Sequence, residues 1–420
     1  MARLARLHLV DFRNYADAEV RFEPGASVLV GPNAQGKTNL LEAVHYLAVG
    51  SSHRVSADMP LIRSGADAAV VRAGVVTDDG RDRTVEVELR PQRRNRVRVD
   101  GQGQARLRDA LGVVRAVLFA PEDLGLVRGD PAHRRRFLDD VLAQRRPAYL
   151  AARQDYEKVL RQRNALLKDV RRRGGAPDPT LEAWTDALAR AGATLLAARI
   201  AVVHALARPA AQAYRALVDP APPAALGDTT AGLSAPADRG EDASGTDAEG
   251  EPDAAAQVGL TYQLSTGREV VADSGEGVPD PGALADELRS GLAERAAEER
   301  ERATTLAGPH RDDLDLTVGT LPAKGYASHG ESWSLALALR LASREVLREV
   351  GDEPVVLLDD VFAELDTRRR DRLAGQCAAF EQVLVTAAVD ADVPLAGPRY
   401  EVRAGTIRPP DAGRRAREAS

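Results

Sequence analysis

The chain has 420 residues, a formal net charge of −6 and a single cysteine, Cys377. That length buries a large core and suits two or three domains. One cysteine excludes an intrachain disulfide framework and any multi-cysteine metal site. The sequence holds no apolar run long enough to cross a bilayer, and its start reads as an alternating strand, not a signal sequence, so a cytoplasmic location is expected with no membrane partner. The near-neutral total hides an asymmetry: residues 219–253 carry nine acidic side chains and one basic, whereas residues 90–173 carry 22 basic and 10 acidic, a net +12. The acidic part is low-complexity sequence, so the basic third points to a polyanionic partner.

In chain order, residues 4–10 and 18–22 alternate apolar and polar positions, and residues 27–30 form an apolar run, giving a set of short strands. Asp11-Phe12-Arg13-Asn14-Tyr15 between the first two is either an ordinary hairpin connection or a turn that offers Arg13 and Asn14 to a nucleotide. The third strand runs into Gly31-Pro32-Asn33-Ala34-Gln35-Gly36-Lys37-Thr38, which fits the phosphate-binding loop at every specified position, and a helical pattern follows from Asn39 to position 49. Consecutive backbone N–H groups at a helix start make a concave anion site, Lys37 adds positive charge, and the Thr38 hydroxyl is placed for Mg²⁺.

Strands are expected around residues 69–76 and 84–89, and the arginines of residues 93–101 alternate along a strand that either faces phosphate or is a solvated edge. A buried strand at 113–119 precedes Ala120-Pro-Glu122-Asp123. Asp130 and Pro131 then open a basic helix that continues to about residue 170. Its triplet Arg134-Arg135-Arg136 points three ways, so at most two of the three serve one surface. A Gly/Pro connection at 171–179 leads to an Ala/Leu-rich helix or helix pair at 181–218. The Ala-, Gly-, Pro-, Asp- and Ser-rich segment to about residue 257 cannot offset its ordering entropy and is expected to be disordered. A short strand at 258–264, a polar link and a charged helix at 281–304 complete the middle.

The last third returns to α/β character. Gly308-Pro-His-Arg-Asp-Asp313 leads into a strand, and Ser328-His-Gly330-Glu331 starts an amphipathic helix, a second anion-seeking helix end. Residues 355–360 are an apolar strand ending in Asp359 and Asp360. In a phosphate-loop fold this strand is expected beside the loop's own strand, bringing Asp359 to Mg²⁺ and Asp360 toward the attacking water. Glu364-Leu365-Asp366 follows, then a strand at 382–387, and the tail from residue 409 is expected to fray. Lys37 and Asp359 lie 322 positions apart, so a large module is inserted between the halves of one nucleotide site. The extra helix terminus at Ser328 makes sense if it caps the nucleotide of another subunit, predicting ATP sandwiched in a symmetric dimer.

Taken together, Phe12-Arg13-Asn14-Tyr15, the phosphate loop, Pro121-Glu122-Asp123-Leu124, residues 134–139, residues 308–313, Ser328-x-Gly330 and Leu357-Leu358-Asp359-Asp360 with Glu364-Leu365-Asp366 resemble the RecF family. These are bacterial recombination-repair ATPases related to SMC-type heads and, more distantly, to ABC transporter ATPases. The resemblance implies an α/β ABC-type (SMC-like head) core formed by residues 1–120 and 305–408, with a mainly helical second lobe at 121–304. It also implies an ATP-dependent homodimer on single- and double-stranded DNA and their junctions that works with RecR and RecO to load RecA. Carried over by position, residues 31–39 with Arg13 and Asn14 hold ATP. Lys37 and Asp360 are catalytic, and Thr38 and Asp359 hold Mg²⁺, with Glu122 at the related Q-loop position. Ser328, Gly330 and Glu331 reach the partner's nucleotide, and Asp366 is the D-loop residue. Arg54 falls where SMC-type heads carry a DNA-responsive arginine, and Arg134 and Arg135 are further DNA candidates. Asp360 stands where SMC and ABC ATPases carry glutamate, so turnover is expected below roughly 10 s⁻¹. Against a structural SMC protein, the central module is too short and alanine-rich for long heptads. Against a transporter ATPase, the strand at 382–386 ends in threonine, not histidine.

Overall fold

The computed structural model describes residues 3–174, 178–218 and 257–410. The acidic segment and the last ten residues, expected to be disordered and frayed, lie outside the described residues. The chain opens with β1 (Arg3–Phe12), β2 (Tyr15–Arg21), β3 (Gly25–Val30) and α1 (Lys37–Val49), followed by β4 (Ala69–Val76), β5 (Asp82–Leu89), β6 (Arg96–Val99), β7 (Gln102–Gln104) and β8 (Ala116–Phe119). Helices α2 (Leu124–Arg128), α3 (Pro131–Arg145), α4 (Pro147–Arg172) and α5 (Thr180–Val218) form the middle. Then come β9 (Val258–Gln263), β10 (Glu269–Val271), α6 (Pro281–Glu294), α7 (Ala296–Arg302), β11 (Asp313–Val318), β12 (Leu321–Pro322), α8 (Ala323–Tyr326) and α9 (His329–Arg348). The chain closes with β13 (Val355–Asp359), α10 (Thr367–Cys377), β14 (Gln382–Ala387), β15 (Arg399–Arg403) and β16 (Thr406–Arg408).

Three sheets result, in the orders β2-β1-β4-β5-β6-β7, β10-β9-β11-β12 and β16-β15-β3-β14-β13-β8. In the third, β3 pairs in parallel with β14 and β15, and β13 with β14 and β8. The carboxylate strand β13 therefore does not lie beside the loop strand β3, as expected from the sequence; β14 lies between them. Side chains alternate across a strand, and this sheet divides them between two cores. Val28, Val356, Leu358, Val383 and Val385 face a core continuous with the helices, where Phe119 meets Trp333 edge-on at 5.3 Å. Leu29, Leu357, Leu384 and Val402 face the core built with α1 and the antiparallel sheet. The centre of the sheet is thus braced from both sides, which is the rigidity a phosphate loop needs.

The basic helix expected to run from Asp130 to about 170 is two helices, broken at Arg146–Pro147, where proline at the first turn of α4 starts a new helix. The charged helix expected at 281–304 likewise splits into α6 and α7. Helix α5 runs unbroken for 39 residues in spite of Pro209. By length and composition it is long and apolar enough to cross a bilayer, contrary to the expectation from sequence, but 56% of its apolar window is buried inside the molecule. The alternating arginines Arg96 and Arg98 of β6 pair with Glu88 and Glu86 across the ladder, favouring a solvated ladder over phosphate contact. Cys377 is buried, and burial pushes its thiol up to about 12.

Helices α4 and α7 are joined by a buried ion pair. Arg163 donates to Glu299 at 2.6 Å and to Thr305 Oγ1 at 2.9 Å, while the second Glu299 oxygen accepts the Leu306 N–H at 2.7 Å. Both side chains are 2% exposed or less. Truncating one partner leaves an uncompensated buried charge, so Glu299→Ala is expected to cost about 3–5 kcal/mol in equilibrium denaturation. A loss below about 1 kcal/mol would contradict this packing.

Candidate nucleotide site

The loop is held open by its neighbours. Gly36 adopts φ 116°, a conformation that favours glycine, and a Cβ there would press on Asn14 and the Tyr15 hydroxyl. Asn14 donates to the Gln35 carbonyl at 2.8 Å and accepts from Asn39 at 2.8 Å, Tyr15 donates to the Gly36 carbonyl at 2.9 Å, and the Gln35 side chain accepts the Ala404 N–H at 2.8 Å. The loop is therefore clamped between the β1–β2 turn and the β15–β16 hairpin. Lys37, 4% exposed, donates to the Gly31 and Pro32 carbonyls at 2.7 and 3.0 Å. Asn33, Ala34, Gly36, Lys37, Thr38, Asn39, Arg54 and Asp360 line an open cavity of about 350 Å³.

Beneath this cavity the two distant halves meet. Thr38 Oγ1 donates to Asp359 Oδ1 at 3.0 Å, and Thr386 Oγ1 donates to the same oxygen at 2.6 Å while accepting the Asp360 N–H at 2.9 Å. Because β14 intervenes between β3 and β13, the threonine near its end is the bridge; from sequence, Thr386 served only to argue against transport. Burial raises the proton affinity of Asp359, and the charges of Asp360 and Glu122 add to it, against the two threonine hydrogen bonds. A buried carboxylate under negative neighbours and next to a hydroxyl suits a cation. Among the described residues no cluster of three acids, histidines or cysteines has metal-ligand spacing, but Mg²⁺ in phosphate sites needs only one or two protein oxygens plus phosphates and waters. Thr38 and Asp359 fit that requirement. Asp360 sits at φ 51°, on the cavity wall. Glu122 is exposed and makes no bond to this pair; its neighbour Asp123 is the engaged one, taking Arg340 at 2.6 and 3.1 Å.

Several basic candidates are used elsewhere. Arg13 gives two bonds to Glu42, at 2.7 and 2.8 Å, and one to the Pro60 carbonyl at 2.9 Å, so it serves a buried acid on α1 rather than the loop's concave face. Burial opposes the charge on Glu42, but hydrogen bonds from Arg13 and Ser52 outweigh it and hold the carboxyl below its usual range. That acid, set among Leu40, Leu41 and Ala43, was the missed signal: a charge on an apolar helix face needs a partner. Arg54 is exposed, lines the nucleotide cavity and donates to Asn39 at 3.0 Å. Arg134 is 5% exposed and bidentate to Asp313 at 2.7 Å, which removes it from any DNA surface. Arg135 is half-buried and donates to the Asp312 carbonyl at 2.7 Å.

The second helix terminus forms as expected. Ser328 caps α9, its hydroxyl accepting the Glu331 N–H at 3.3 Å while Glu331 accepts the Ser328 N–H at 2.8 Å. Asp366 caps α10, accepting the Arg369 N–H at 3.0 Å and its guanidinium at 3.1 Å. The Arg369 guanidinium lies where a Cβ on Gly330 would be, tying the two caps together. None of Ser328, Gly330, Glu331 and Asp366 lines the loop's cavity.

Residues 3–402 match the family described as RecF/RecN/SMC N terminal domain. A DNA replication and repair protein RecF of Streptomyces avermitilis is 50% identical over 411 residues, covering 96% of this chain and 99% of that one. The chain belongs to the RecF family. A RecF of Frankia alni is also 50% identical, over 96% of this chain and 98% of its own. Among solved structures, a recombination mediator protein described as RecF-ATPrS in the RecFOR pathway has TM-score 0.81 at 24% identity, over 97% of this chain and 98% of that one. An Smc head domain of Pyrococcus furiosus has TM-score 0.51 at 16% identity over both full chains. These likenesses fix the fold as that of the RecF and SMC head ATPases, and the expected α/β ABC-type class holds.

Proposed function

We propose that this RecF-family chain is an ATP-driven DNA repair clamp. ATP bound on residues 31–39 of one subunit is covered by Ser328 and Gly330 of a second, and the closed homodimer grips DNA at single-strand/double-strand junctions of gaps, where with RecO and RecR it helps load RecA. Support comes from the solved relatives described as RecF-ATP and RecF-ATPrS in the RecFOR pathway. The observation that carries the reading is the division of labour within one chain: Thr38 and Asp359 meet under one cavity, while the Ser328 terminus lies outside it, exposed. Mg²⁺, held by Thr38 and Asp359, would neutralise phosphate charge. Lys37 draws the terminal phosphate into the loop, and Asp360 orients the attacking water. One methylene shorter than glutamate, Asp360 reaches that water less well, which supports slow turnover. The same reading assigns residues 1–120 and 305–408 to the ATP-binding lobe and 121–304 to the helical one, except that β11 and β12 complete the sheet of β9 and β10 and so go with the helical lobe.

The test is retention on gapped DNA with and without ATP, read by sedimentation. Gapped DNA should be held more tightly than intact duplex and only when ATP is present. Equal binding to both, indifferent to ATP, would remove the clamp reading.

A further inference from the structure

We propose that the crevice between the helical layer and the loop after α1 binds the phosphodiester backbone of a single DNA strand. This rests on the DNA-binding reading above and says where the strand lies. Two cavities of about 430 and 530 Å³ share Ser51, Asp139, Asp140, Arg153 and Glu157, and so form one groove. Arg94, Arg106 and Arg108, from the connections around β6 and β7, line one end; Arg135, Arg136 and Arg199, from α3 and α5, line the other. With Arg153, seven arginines face three carboxylates.

Those carboxylates are largely engaged. Asp139 is held by Arg199 at 2.8 Å and accepts the Tyr149 hydroxyl at 2.6 Å, and Glu157 accepts Arg153 at 2.9 Å. Burial pushes Asp140 up to about 6 against the charges of Arg136, Arg340 and Arg153, so it carries its charge reluctantly. Four of the seven arginines are also engaged: Arg199 and Arg153 with those acids, Arg136 with Asp140 at 3.7 Å and Arg108 with Asp109 at 3.8 Å, which leaves Arg94, Arg106 and Arg135 with spare capacity. Arg94 and Arg106 are exposed, and among the described residues neither side chain has a carboxylate within ion-pair distance. Among the described residues the Arg135 side chain bonds only to the Asp312 carbonyl. Burial, then the nearby Arg199 charge, lowers the proton affinity of Arg135 in spite of Asp312 and Asp313. Burial takes His310 down to about 4, and Arg311, Arg135 and Arg199 add to it against its bond to Thr305.

A run of guanidinium groups in excess of carboxylates is an oxyanion site, and spread along a groove it matches a chain of phosphates better than one phosphate. A single strand can pass between two walls, whereas a duplex, a stiff rod with its phosphates outermost, meets only the rim. The groove also shares a wall with the nucleotide cavity. Arg136 donates to the Ser52 carbonyl, the Ser52 hydroxyl accepts the Arg54 N–H at 3.0 Å, and Arg54 lines the nucleotide cavity. Strand and nucleotide therefore press on opposite sides of one loop, and linkage requires that each change the other's affinity by the same factor.

The test is fluorescence anisotropy of a labelled oligo-dT and a duplex of equal length, over a KCl series, with the full chain, an Arg94→Gln/Arg106→Gln variant and Arg135→Gln. For the single strand, the double variant should bind on the order of tenfold more weakly, and the log–log salt slope should flatten by about 0.7 for each phosphate that is no longer neutralised. Duplex affinity should be unchanged. Arg94 and Arg106 hold no ion pair among the described residues, so this variant reads the groove without a folding defect even if Arg135→Gln loosens the Asp312 carbonyl bond. Unchanged single-strand binding and slope in both variants would overturn the groove, as would equal losses on strand and duplex. Wild-type chain that binds neither DNA would instead overturn the DNA reading itself.

Discussion

A Lys37→Met chain is expected to lose ATP-dependent dimerisation and ATP-dependent DNA retention together. Lys37 is buried in the loop with its ammonium on the Gly31 and Pro32 carbonyls, at the N-terminus of α1. Methionine keeps the length and apolar stem but removes the charge that answers the β- and γ-phosphates, and charge-assisted bonds to phosphate are the strong class. ATP affinity should fall on the order of a hundredfold, with the fold intact by circular dichroism. Sedimentation velocity with and without ATP decides it: a variant that still dimerises on ATP would sink the sandwich arrangement.

Ser328→Arg should give the complementary result, with ATP binding by the monomer intact and the ATP-induced dimer gone. Ser328 is exposed and lies outside its own chain's cavity, so a long side chain there meets nothing within the chain that the loop needs. On the proposed partner surface it would instead intrude where the second nucleotide has to lie, and it would also remove the hydroxyl that accepts the Glu331 N–H. That missing cap costs about 1 kcal/mol, small beside complete loss of the closed dimer. Nucleotide titration and sedimentation of the same sample separate the two outcomes, and a dimer formed at wild-type ATP concentrations would refute the trans role.

The phosphate loop, the helix start at Ser328 and the strand ending in Asp359 were legible because each is a local pattern with a local physical cause. Strand order was not. The apolar runs at 355–359 and 382–387 look alike, and nothing in either says that the second inserts between β13 and β3. The arginine triplet shows the same limit at side-chain scale. Helical geometry predicted that Arg134, Arg135 and Arg136 diverge, but the carboxylate that engages Arg134 is 179 positions away, beyond any local pattern. Proline was informative in one place and misleading in another. Pro147 begins a helix at a break the periodicity passed over, whereas Pro209 sits inside one, carried by the packing of the long α5.

The flanking of β3 by β14 and β15 sets when this chain can first act during its own synthesis. Both strands come from beyond residue 380, so the loop strand has neither ladder partner until about 350 further residues have been made. At typical elongation rates that interval is roughly 20–75 s, during which two unpaired strand edges are exposed. A chain ended before residue 380 therefore carries every residue of the phosphate motif but neither ladder partner of its strand, nor the Thr386 hydroxyl that bridges to Asp359.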